Sequence, residues 1–355
     1  MARGFVSVLI DTYNHERFIE QAIVSVLKQD FPESEREIIV VDDGSTDRTP
    51  EIVKKFEPRV RLLRKENGGQ ASAFNAGIPE CTGEIVAFLD GDDWWAPNKL
   101  KAVTSALADD ASIGLVGHGI TEMFSDGRWH TELVREAPRF RIDSVKGARL
   151  FRLRKSFLGT SRMTMRSELL RKIGKVPEAL RIEADEYLFT LAGVLSDVLV
   201  LRESLTFYRL HESNAFQVSD GSTQALRRKQ QVLDALAEAL KKKLAEHNVQ
   251  RPIADVVVES VETEANLIRL SLDRGLPWET ISTELRSYRI MHENASTAHW
   301  ILKGLSLFPA CVMSSRLYYA LRQRFAQNGI YRRAREKWLP FLQPPHVDRY
   351  RTTRP

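Results

Sequence analysis

The sequence predicts an α/β protein, in which a mostly parallel sheet flanked by helices is followed by an α-helical carboxyl-terminal region. Over residues 1–118, short β-branched runs alternate with segments of helical periodicity. This alternation is typical of a parallel sheet covered by helices on both faces. From residue 222 onward, strand signals stop, and apolar residues such as Leu236, Leu240 and Leu244 recur at helical spacing. Two further amphipathic helices are expected at residues 253–274 and 278–291.

The elements of the first segment follow from their apolar spacing. Strands are expected at residues 5–10, 37–41, 60–63, 84–89 and 113–117. Helices are expected at residues 16–28, 46–56 and 70–76, and another begins at Pro97, since the first helical turn tolerates proline.

Residues 119–221 have a different character. Asp126-Gly127 is a strong turn dipeptide, so a hairpin is expected over residues 121–134. A helix is expected at residues 143–154, and strands at 158–165, 197–201 and 205–211. The Asp220-Gly221-Ser222 run then marks the predicted boundary with the helical region, residues 222–355.

Composition indicates the class of protein. The 355 residues fit one catalytic-sized domain plus an accessory region, with 43% hydrophobic and 28% charged residues. Cys81 and Cys311 lie far apart and suggest free thiols in a reducing compartment. There is no signal-peptide pattern, and no apolar run reaches the roughly 18 residues of a membrane span, so a cytoplasmic location is expected.

Acidic residues follow three of the predicted strands. Because ligands bind beyond the carboxyl ends of parallel strands, these side chains are expected to share one site. Carboxylates beside a buried strand are costly unless a cation or polar ligand meets them. Mg²⁺ and Mn²⁺ suit such a site, since they combine a few protein carboxylates with substrate phosphates. The residues are Asp11, Asp42, Asp43, Asp90, Asp92 and Asp93.

Four motifs in order resemble those of the family 2 glycosyltransferases. They are VSVLIDTYN at 6–14, VVDDGSTD at 40–47, NGGQASAFNAG at 67–77 and GEIVAFLDGDDW at 83–94. The resemblance extends to about residue 211 and implies the GT-A fold, a Rossmann-like sheet flanked by helices. It also implies that residues 1–221 are the catalytic domain, with 1–118 binding a nucleotide-sugar and 119–221 facing the acceptor.

The activity implied by this resemblance is a metal-dependent, inverting sugar transfer. The donor would be a nucleotide-sugar, most often UDP-linked, and the acceptor a hydroxyl of a glycan or lipid-linked glycan in polysaccharide or glycoconjugate assembly. Two alternatives are a non-catalytic nucleotide-sugar-binding protein on the same fold and a sugar nucleotidyltransferase. The second would need a glycine-rich loop after the first strand, and residues 13–17 contain no glycine.

The resemblance also assigns donor-binding roles. Asp43 would read the nucleotide base, Tyr13 would stack on or flank it, and Asp11 would line the same pocket. The loop and helix at 67–75 would wall the donor site. The donor-binding set is Asp11, Tyr13, Asp43, Asn67, Gly69, Asn75 and Asp92.

A divalent cation, Mn²⁺ or Mg²⁺, is assigned by the same resemblance to Asp93 and Asp92. His211 is a candidate to complete its shell, a structural role being the alternative for a lone histidine. The metal would neutralise the departing diphosphate. Many relatives have a basic residue where this chain has Phe74, which leaves open what else balances the diphosphate charge.

An inverting transfer also needs a general base on the acceptor side. The run Glu183-Ala184-Asp185-Glu186 matches the family segment that supplies it, and Asp185 is the predicted base, with Glu183 and Glu186 as alternates. Acidic residues also stabilise a helix amino terminus, which is compatible with that role.

Aromatic and basic residues are mixed over residues 298–324. Such a pattern is typical of interfacial helices, so peripheral contact with the inner face of the cell membrane is one hypothesis. Core packing or a homo-oligomer interface is the alternative, and no nucleic-acid partner is expected.

Overall fold

The computed structural model describes residues 4–124, 126–132, 134, 137–211 and 223–272, with isolated positions between 278 and 321. Contacts divide the chain into two units, Met1–Gln217 with Ala235–Val258, and Val218–Asp234 with Glu259–Pro355. Among the described residues, none of the helices combines the length and the apolar character needed to cross a bilayer.

The regular elements follow in chain order. The strands are β1 Val6–Thr12, β2 Arg36–Asp42, β3 Arg61–Arg64, β4 Ile85–Asp90, β5 Trp94–Trp95, β6 Ile113–Met123, β7 Trp129–Thr131, β8 Arg139–Phe140, β9 Thr164–Arg166 and β10 Asp197–Arg209. The α-helices are α1 Ile19–Leu27, α2 Thr49–Lys54, α3 Gln70–Gly77, α4 Lys99–Asp109, α5 Val145–Arg154, α6 Ser167–Ile173, α7 Ala184–Leu195, α8 Thr223–Glu246 and α9 Arg251–Leu272.

The described strands form one ten-stranded sheet in the order β3-β2-β1-β4-β9-β6-β10-β5, with β7 on β6 and β8 on β10. β3, β2, β1 and β4 pair in parallel, as expected. β9 lies antiparallel between β4 and β6, and β6 pairs in parallel with β10. The sheet is therefore parallel in its first half and mixed in its second.

Central strand β1 shows why this sheet is stable. Residues 6–10 are buried on both faces of the strand, as in a sheet covered by helices on each side. One face of α1, formed by Ile19, Ala22, Ile23 and Val26, is fully buried in the same core. Complete burial of an aliphatic side chain of this kind contributes about 1.5–3 kcal/mol. This packing holds the carboxyl ends of β1, β2 and β4 in place.

Two expectations about the second segment needed revision. The strand predicted at 158–165 is instead a 3₁₀ turn, Thr160–Arg162, followed by the short β9. The Thr160 hydroxyl bonds the carboxylate of Asp185, and the Ser161 hydroxyl bonds that of Asp90. These two bonds hold the stretch as a turn. The strands predicted at 197–201 and 205–211 are one strand, β10, which continues along β6 through irregular register at Ser204.

The predicted hairpin is confirmed, since β6 pairs antiparallel with β7 around the Asp126-Gly127 turn. The predicted helices at 222 onward and at 253–274 correspond to α8 and α9. Within the second unit, Lys229 Nζ lies 2.7 Å from Glu264 Oε1, which ties the two helices together. Most of the helix predicted at 278–291 and all of the tail beyond 321 lie outside the described residues.

Candidate active site

The register of the parallel strands brings the predicted acidic residues to one edge. Asp11 of β1 lies opposite Asp90 of β4, and Thr12 lies opposite Asp42 of β2. The turn after β4 is anchored by the Gly91 N–H, which donates to Asp11 O at 2.9 Å. A Cβ on Gly91 would lie 2.5 Å from Thr12 Oγ1, so glycine permits this close approach.

Burial makes this cluster of carboxyl groups electrostatically unfavourable when all are ionised. Burial and the charge of Asp92 raise the pKa of Asp93 to about 8. Burial, together with neighbouring carboxylates, also raises the pKa of Asp11 and of Asp90. Among the described residues, the buried oxygens Asp11 Oδ1 and Asp93 Oδ2 have no hydrogen-bond partner. Such oxygens are suited to a cation or a polar ligand.

Asp92 differs from its neighbours because two imidazoles flank it. His211 Nε2 lies 2.9 Å and His15 Nε2 3.7 Å from Asp92 Oδ2. Burial alone would raise the pKa of Asp92, but the hydrogen bond with His211 and the charges of the two histidines lower it overall. Predicted metal residue His211 therefore reaches the acidic cluster, and His15, which the sequence analysis did not single out, joins it.

Arg209 closes the other side of the acidic turn. Its backbone N–H donates to Asp93 Oδ1 at 3.0 Å, and its Nε donates to the carbonyl of Asp92 at 3.0 Å. Its guanidinium lies 4.6 Å from the ring centroids of both Phe18 and Trp94. This places a fixed positive charge at the cluster, and such a charge can offset negative charge that develops on a leaving group.

Asp43 organises the loop that was predicted to wall the donor site. Its carboxylate accepts the N–H groups of Gly68 at 3.0 Å and Gly69 at 2.7 Å, and the Asn67 side-chain amide at 3.1 Å. Lys65 Nζ lies 2.7 Å from Asp43 Oδ1. Asp43, Asn67 and Gly69 are thus brought together as predicted, and Lys65 is an added member that no recognised motif indicated.

Two other predicted donor residues have different surroundings. Tyr13 is 44% exposed in the loop after β1, so its ring is available to a ligand. The side-chain amide of Asn75 instead makes two bonds with the backbone of Val176, at 2.8 and 2.9 Å. That pairing gives Asn75 a structural function in this molecule, and its predicted donor contact stays a prediction.

Phe74 is fully buried and packs edge-on against Phe88, with ring centroids 5.3 Å apart. Another basic residue near the cluster, besides Arg209, is Lys99, the first residue of α4, which is also fully buried. Its Nζ donates to Ser161 O at 2.9 Å and lies 3.6 Å from the centroid of the Trp95 ring. Burial lowers the pKa of Lys99, and the charges of Asp93 and Asp90 act in the opposite direction.

Of the three acids proposed as general base, Asp185 has the most suitable surroundings. Its Oδ2 accepts the Thr160 N–H at 3.0 Å and the Thr160 hydroxyl at 3.1 Å, and its charge acts on both Asp11 and Asp90. Glu186 is buried and paired with Lys155 Nζ at 2.5 Å. Glu183 is buried in the left-handed conformation that precedes α7.

These motifs correspond to a known family. Residues 7–174 match the model described as glycosyl transferase family 2. Residues 7–174 thus form a glycosyltransferase family 2 domain. It is 32% identical to an uncharacterized glycosyltransferase of Nostoc sp. over 214 residues, 59% of this chain and 66% of the relative. A second relative is the poly(ribitol-phosphate) β-N-acetylglucosaminyltransferase TarS of Staphylococcus aureus. The two sequences are 40% identical over 99 residues, which cover 27% of this chain and 17% of TarS. The chain thus matches less than two thirds of the length of these relatives.

Solved structures share the fold. The crystal structure of S. aureus TarS 1–349 superposes with a TM-score of 0.58 at 20% identity, covering 91% of each chain. The mannosyltransferase PcManGT from Pyrobaculum calidifontis, in complex with GDP-Man and Mn²⁺, gives 0.53 at 18% identity, covering 96% of this chain and 86% of its own. At these identities the likeness shows the fold alone, and it confirms the predicted GT-A architecture.

Proposed function

We propose that this family 2 glycosyltransferase transfers a sugar, with inversion, from a UDP-sugar to a hydroxyl of a glycan or lipid-linked glycan. The main support is the position of Asp185: Thr160 bonds its carboxylate while the adjacent Ser161 bonds Asp90, which brings Asp185 to the acidic edge of the sheet. An acid at the start of α7 and acids at the ends of β1 and β4 thus surround one site. Donor binding on one side and proton removal on the other require this arrangement.

The donor side of the proposal rests on the Asp43 loop and on exposed Tyr13. Tyr13 offers an aromatic face to a base, while Asp43 holds Asn67 and Gly69 in the wall beside it. A UDP-linked donor is supported by TarS, which has been crystallised in complex with UDP and with UDP-GlcNAc. Because PcManGT was crystallised in complex with GDP-Man, GDP-mannose should be tested beside the UDP-sugars.

The residues of the acidic turn fit a divalent cation. Asp93 Oδ2 is a buried carboxylate oxygen with no hydrogen-bond partner in the described structure, and Asp92 with His211 adds oxygen and nitrogen donors. Among the described residues, no group of three or more His, Cys, Asp or Glu side chains forms a ready-made metal site. Mg²⁺ and Mn²⁺ are usually bound through one or two protein carboxylates together with substrate phosphates. When bound, the cation would supply Lewis-acid stabilisation of the diphosphate.

Asp185 is proposed as the general base. The acceptor oxygen forms its bond to the anomeric carbon as the bond to the diphosphate oxygen breaks, with that electron pair leaving on the diphosphate. The hydroxyl proton passes to the Asp185 carboxylate. Arg209, fixed between Phe18 and Trp94, offsets charge on the departing diphosphate.

A donor panel tests this function. The protein is screened with UDP-GlcNAc, other UDP-sugars and GDP-mannose, with and without Mn²⁺, by thermal shift and by nucleotide release. Asp185→Asn should keep donor binding and lower turnover at least about 100-fold, since proton transfer contributes about 10²–10⁴-fold.

The matched control is Asp126→Asn in the exposed β6–β7 turn, which should behave as wild type. Turnover by Asp185→Asn at the wild-type rate would exclude Asp185 as the base. Absence of binding and turnover with every nucleotide-sugar would reject the function itself.

We also propose that the carboxyl-terminal region contacts an anionic lipid surface. Ile301, Leu305, Phe308 and Val312 are spaced as one helical stripe, and each is at least 60% exposed. Arg316, Arg322 and Arg324 follow in the sequence, which suits anionic lipid.

Flotation with phosphatidylserine-containing vesicles tests the lipid contact on the full chain. Leu305→Asp with Phe308→Asp should abolish binding, and Trp129→Ser, at an exposed position in β7, should not. Equal flotation of both variants would argue against lipid contact. The wild type could instead fail to float and form a dimer in sedimentation that the Leu305→Asp, Phe308→Asp double variant disrupts. That result would assign the apolar stripe to self-association.

A further inference from the structure

Gln70 joins the donor-side loop to the start of the base helix. Its side-chain Oε1 accepts the N–H of Ala184, the first residue of α7, at 2.9 Å. Its Nε2 donates to Thr160 Oγ1 at 2.9 Å, and Thr160 Oγ1 lies 3.1 Å from Asp185 Oδ2. A continuous hydrogen-bonded chain therefore runs from α3 through Thr160 to Asp185.

The direction of each hydrogen bond in this chain is determined by its first member. Because a backbone N–H can only donate, the Ala184 bond requires the oxygen of the Gln70 amide at that end. The NH₂ group of Gln70 then faces Thr160 and donates to its hydroxyl oxygen. The single hydroxyl proton of Thr160 is left to donate to Asp185 Oδ2. The Gln70 amide thus orients the Thr160 hydroxyl toward Asp185 Oδ2.

The surroundings hold this chain rigidly. Thr160 is 3% exposed, and its own N–H donates a second bond to Asp185 Oδ2 at 3.0 Å. The backbone N–H of Gln70 donates to Arg181 O at 2.9 Å, which ties α3 to the segment before α7. The next residue, Ser161, bonds Asp90 through both the Asp90 N–H and its carboxylate. Hydrogen bonds that form a connected network among partly buried groups strengthen one another.

We propose that Gln70 and Thr160 are positioning residues that orient the general base. The inference rests on the proposed function, because it assigns Asp185 the role of base. It extends that function by linking base geometry to α3, directly after the Gly68-Gly69 loop on the donor side. Neither residue needs to touch the reacting atoms.

Thr160→Val removes the hydroxyl while conserving shape and leaving the backbone N–H in place. The expected result is a fall in kcat for nucleotide release from the UDP-sugar selected by the donor panel, of about 10- to 100-fold, because small misplacement of a catalytic group is costly. The KM for that donor should stay within about twofold, since the donor contacts are unchanged. Thr160→Ser retains the hydroxyl and should restore most of kcat.

Gln70→Glu provides a second, independent variant. A carboxylate accepts from both the Ala184 N–H and the Thr160 hydroxyl, so the hydroxyl proton turns away from Asp185. Its kcat should fall as in Thr160→Val, and the two changes combined should cost no more than about either alone, since they interrupt one chain.

The matched control is Thr104→Val. It removes a buried hydroxyl that donates to Leu100 O and Lys101 O of its own helix, outside the site, and should leave kcat unchanged. Wild-type kcat in Thr160→Val, or equal loss in Thr160→Ser, would overturn the inference. If Asp185→Asn is inactive in the same assay while Thr160→Val is normal, the proposed function stands and only this inference fails. If the wild type turns over no nucleotide-sugar, the proposed function fails first and takes the inference with it.

Discussion

Gly69→Ala is a sharp test of how the donor loop is built. Gly69 has φ +86° and ψ 179°, a region essentially restricted to glycine. A Cβ at this position would lie 2.6 Å from Arg181 Cα and 2.7 Å from Arg181 O. Both are backbone atoms, so relief requires the chain itself to move by close to 1 Å toward an ordinary contact of 3.4 Å.

The magnitude follows from two contributions. The backbone conformation alone costs an alanine about 1–3 kcal/mol. The forced movement also strains the bond from Gly69 N–H to Asp43 Oδ2, at 2.7 Å, and the bond from Gln70 N–H to Arg181 O, at 2.9 Å. Loss of each bond costs about 1–3 kcal/mol, so the second contribution is about 2–6 kcal/mol if both are lost.

Gly174→Ala separates the two contributions. Gly174 has φ +79° and ψ −159°, a closely similar conformation, with no heavy atom within 4 Å of the Cβ position. Urea unfolding should show Gly69→Ala to be less stable than Gly174→Ala by about 2–6 kcal/mol. Calorimetric titration with the selected UDP-sugar should show at least tenfold weaker binding for Gly69→Ala alone. Equal stability and equal affinity in the two variants would refute the argument.

Three further outcomes follow from other contacts. Burial and the charge of Glu37 raise the pKa of the Cys81 thiol to about 12. Alkylation of Cys81 at pH 8, followed by peptide mass spectrometry, should therefore be slow, and its rate should rise about tenfold per pH unit. A rate like that of free cysteine would contradict this. Asn75→Ala should lower the free energy of unfolding by about 2 kcal/mol without changing the affinity for the UDP-sugar, because both polar atoms of the Asn75 amide bond Val176. A loss of affinity without a loss of stability would instead support the predicted contact of Asn75 with the nucleotide-sugar. Lys155→Met should destabilise the protein by about 3 kcal/mol in urea unfolding, because Glu186 stays buried without this cation. Adding Glu186→Leu to the Lys155→Met chain should recover part of that loss. If the two substitutions instead destabilise the protein additively, this explanation is wrong.

The sequence was sufficient to predict the first half of the sheet because its signals are local. In β1, β2 and β4, continuous apolar runs end in aspartates, and parallel pairing places those aspartates at one edge. Apolar periodicity likewise located α1 and α3. The acidic edge of the site was therefore predictable before any contact was known.

The second half was less predictable because its signals depend on tertiary partners. Thr160 and Ser161 have ordinary strand propensity, yet their hydroxyls bond Asp185 and Asp90, which lie 25 and 71 residues away in sequence. β9 is short and pairs antiparallel with strands on both sides, a topology that no local pattern marks. Lys65 could not be identified either, since its role depends on the folded position of Asp43.

Lys99 illustrates a signal that was present in the sequence but needs the structure for its interpretation. A lysine in the first turn of a helix opposes the helix dipole, so that position is unfavourable unless another charge compensates. Here Asp93 and Asp90 act to raise the pKa of Lys99 but do not outweigh burial, which lowers it, and Trp95 and the Ser161 carbonyl complete the surroundings of Nζ. With Phe74 packed in the core against Phe88, basic side chains beside the acidic cluster come from Lys99 of α4 and Arg209 of β10. Because neither residue lies in the α3 motif, these basic side chains could not be identified from the sequence around Phe74.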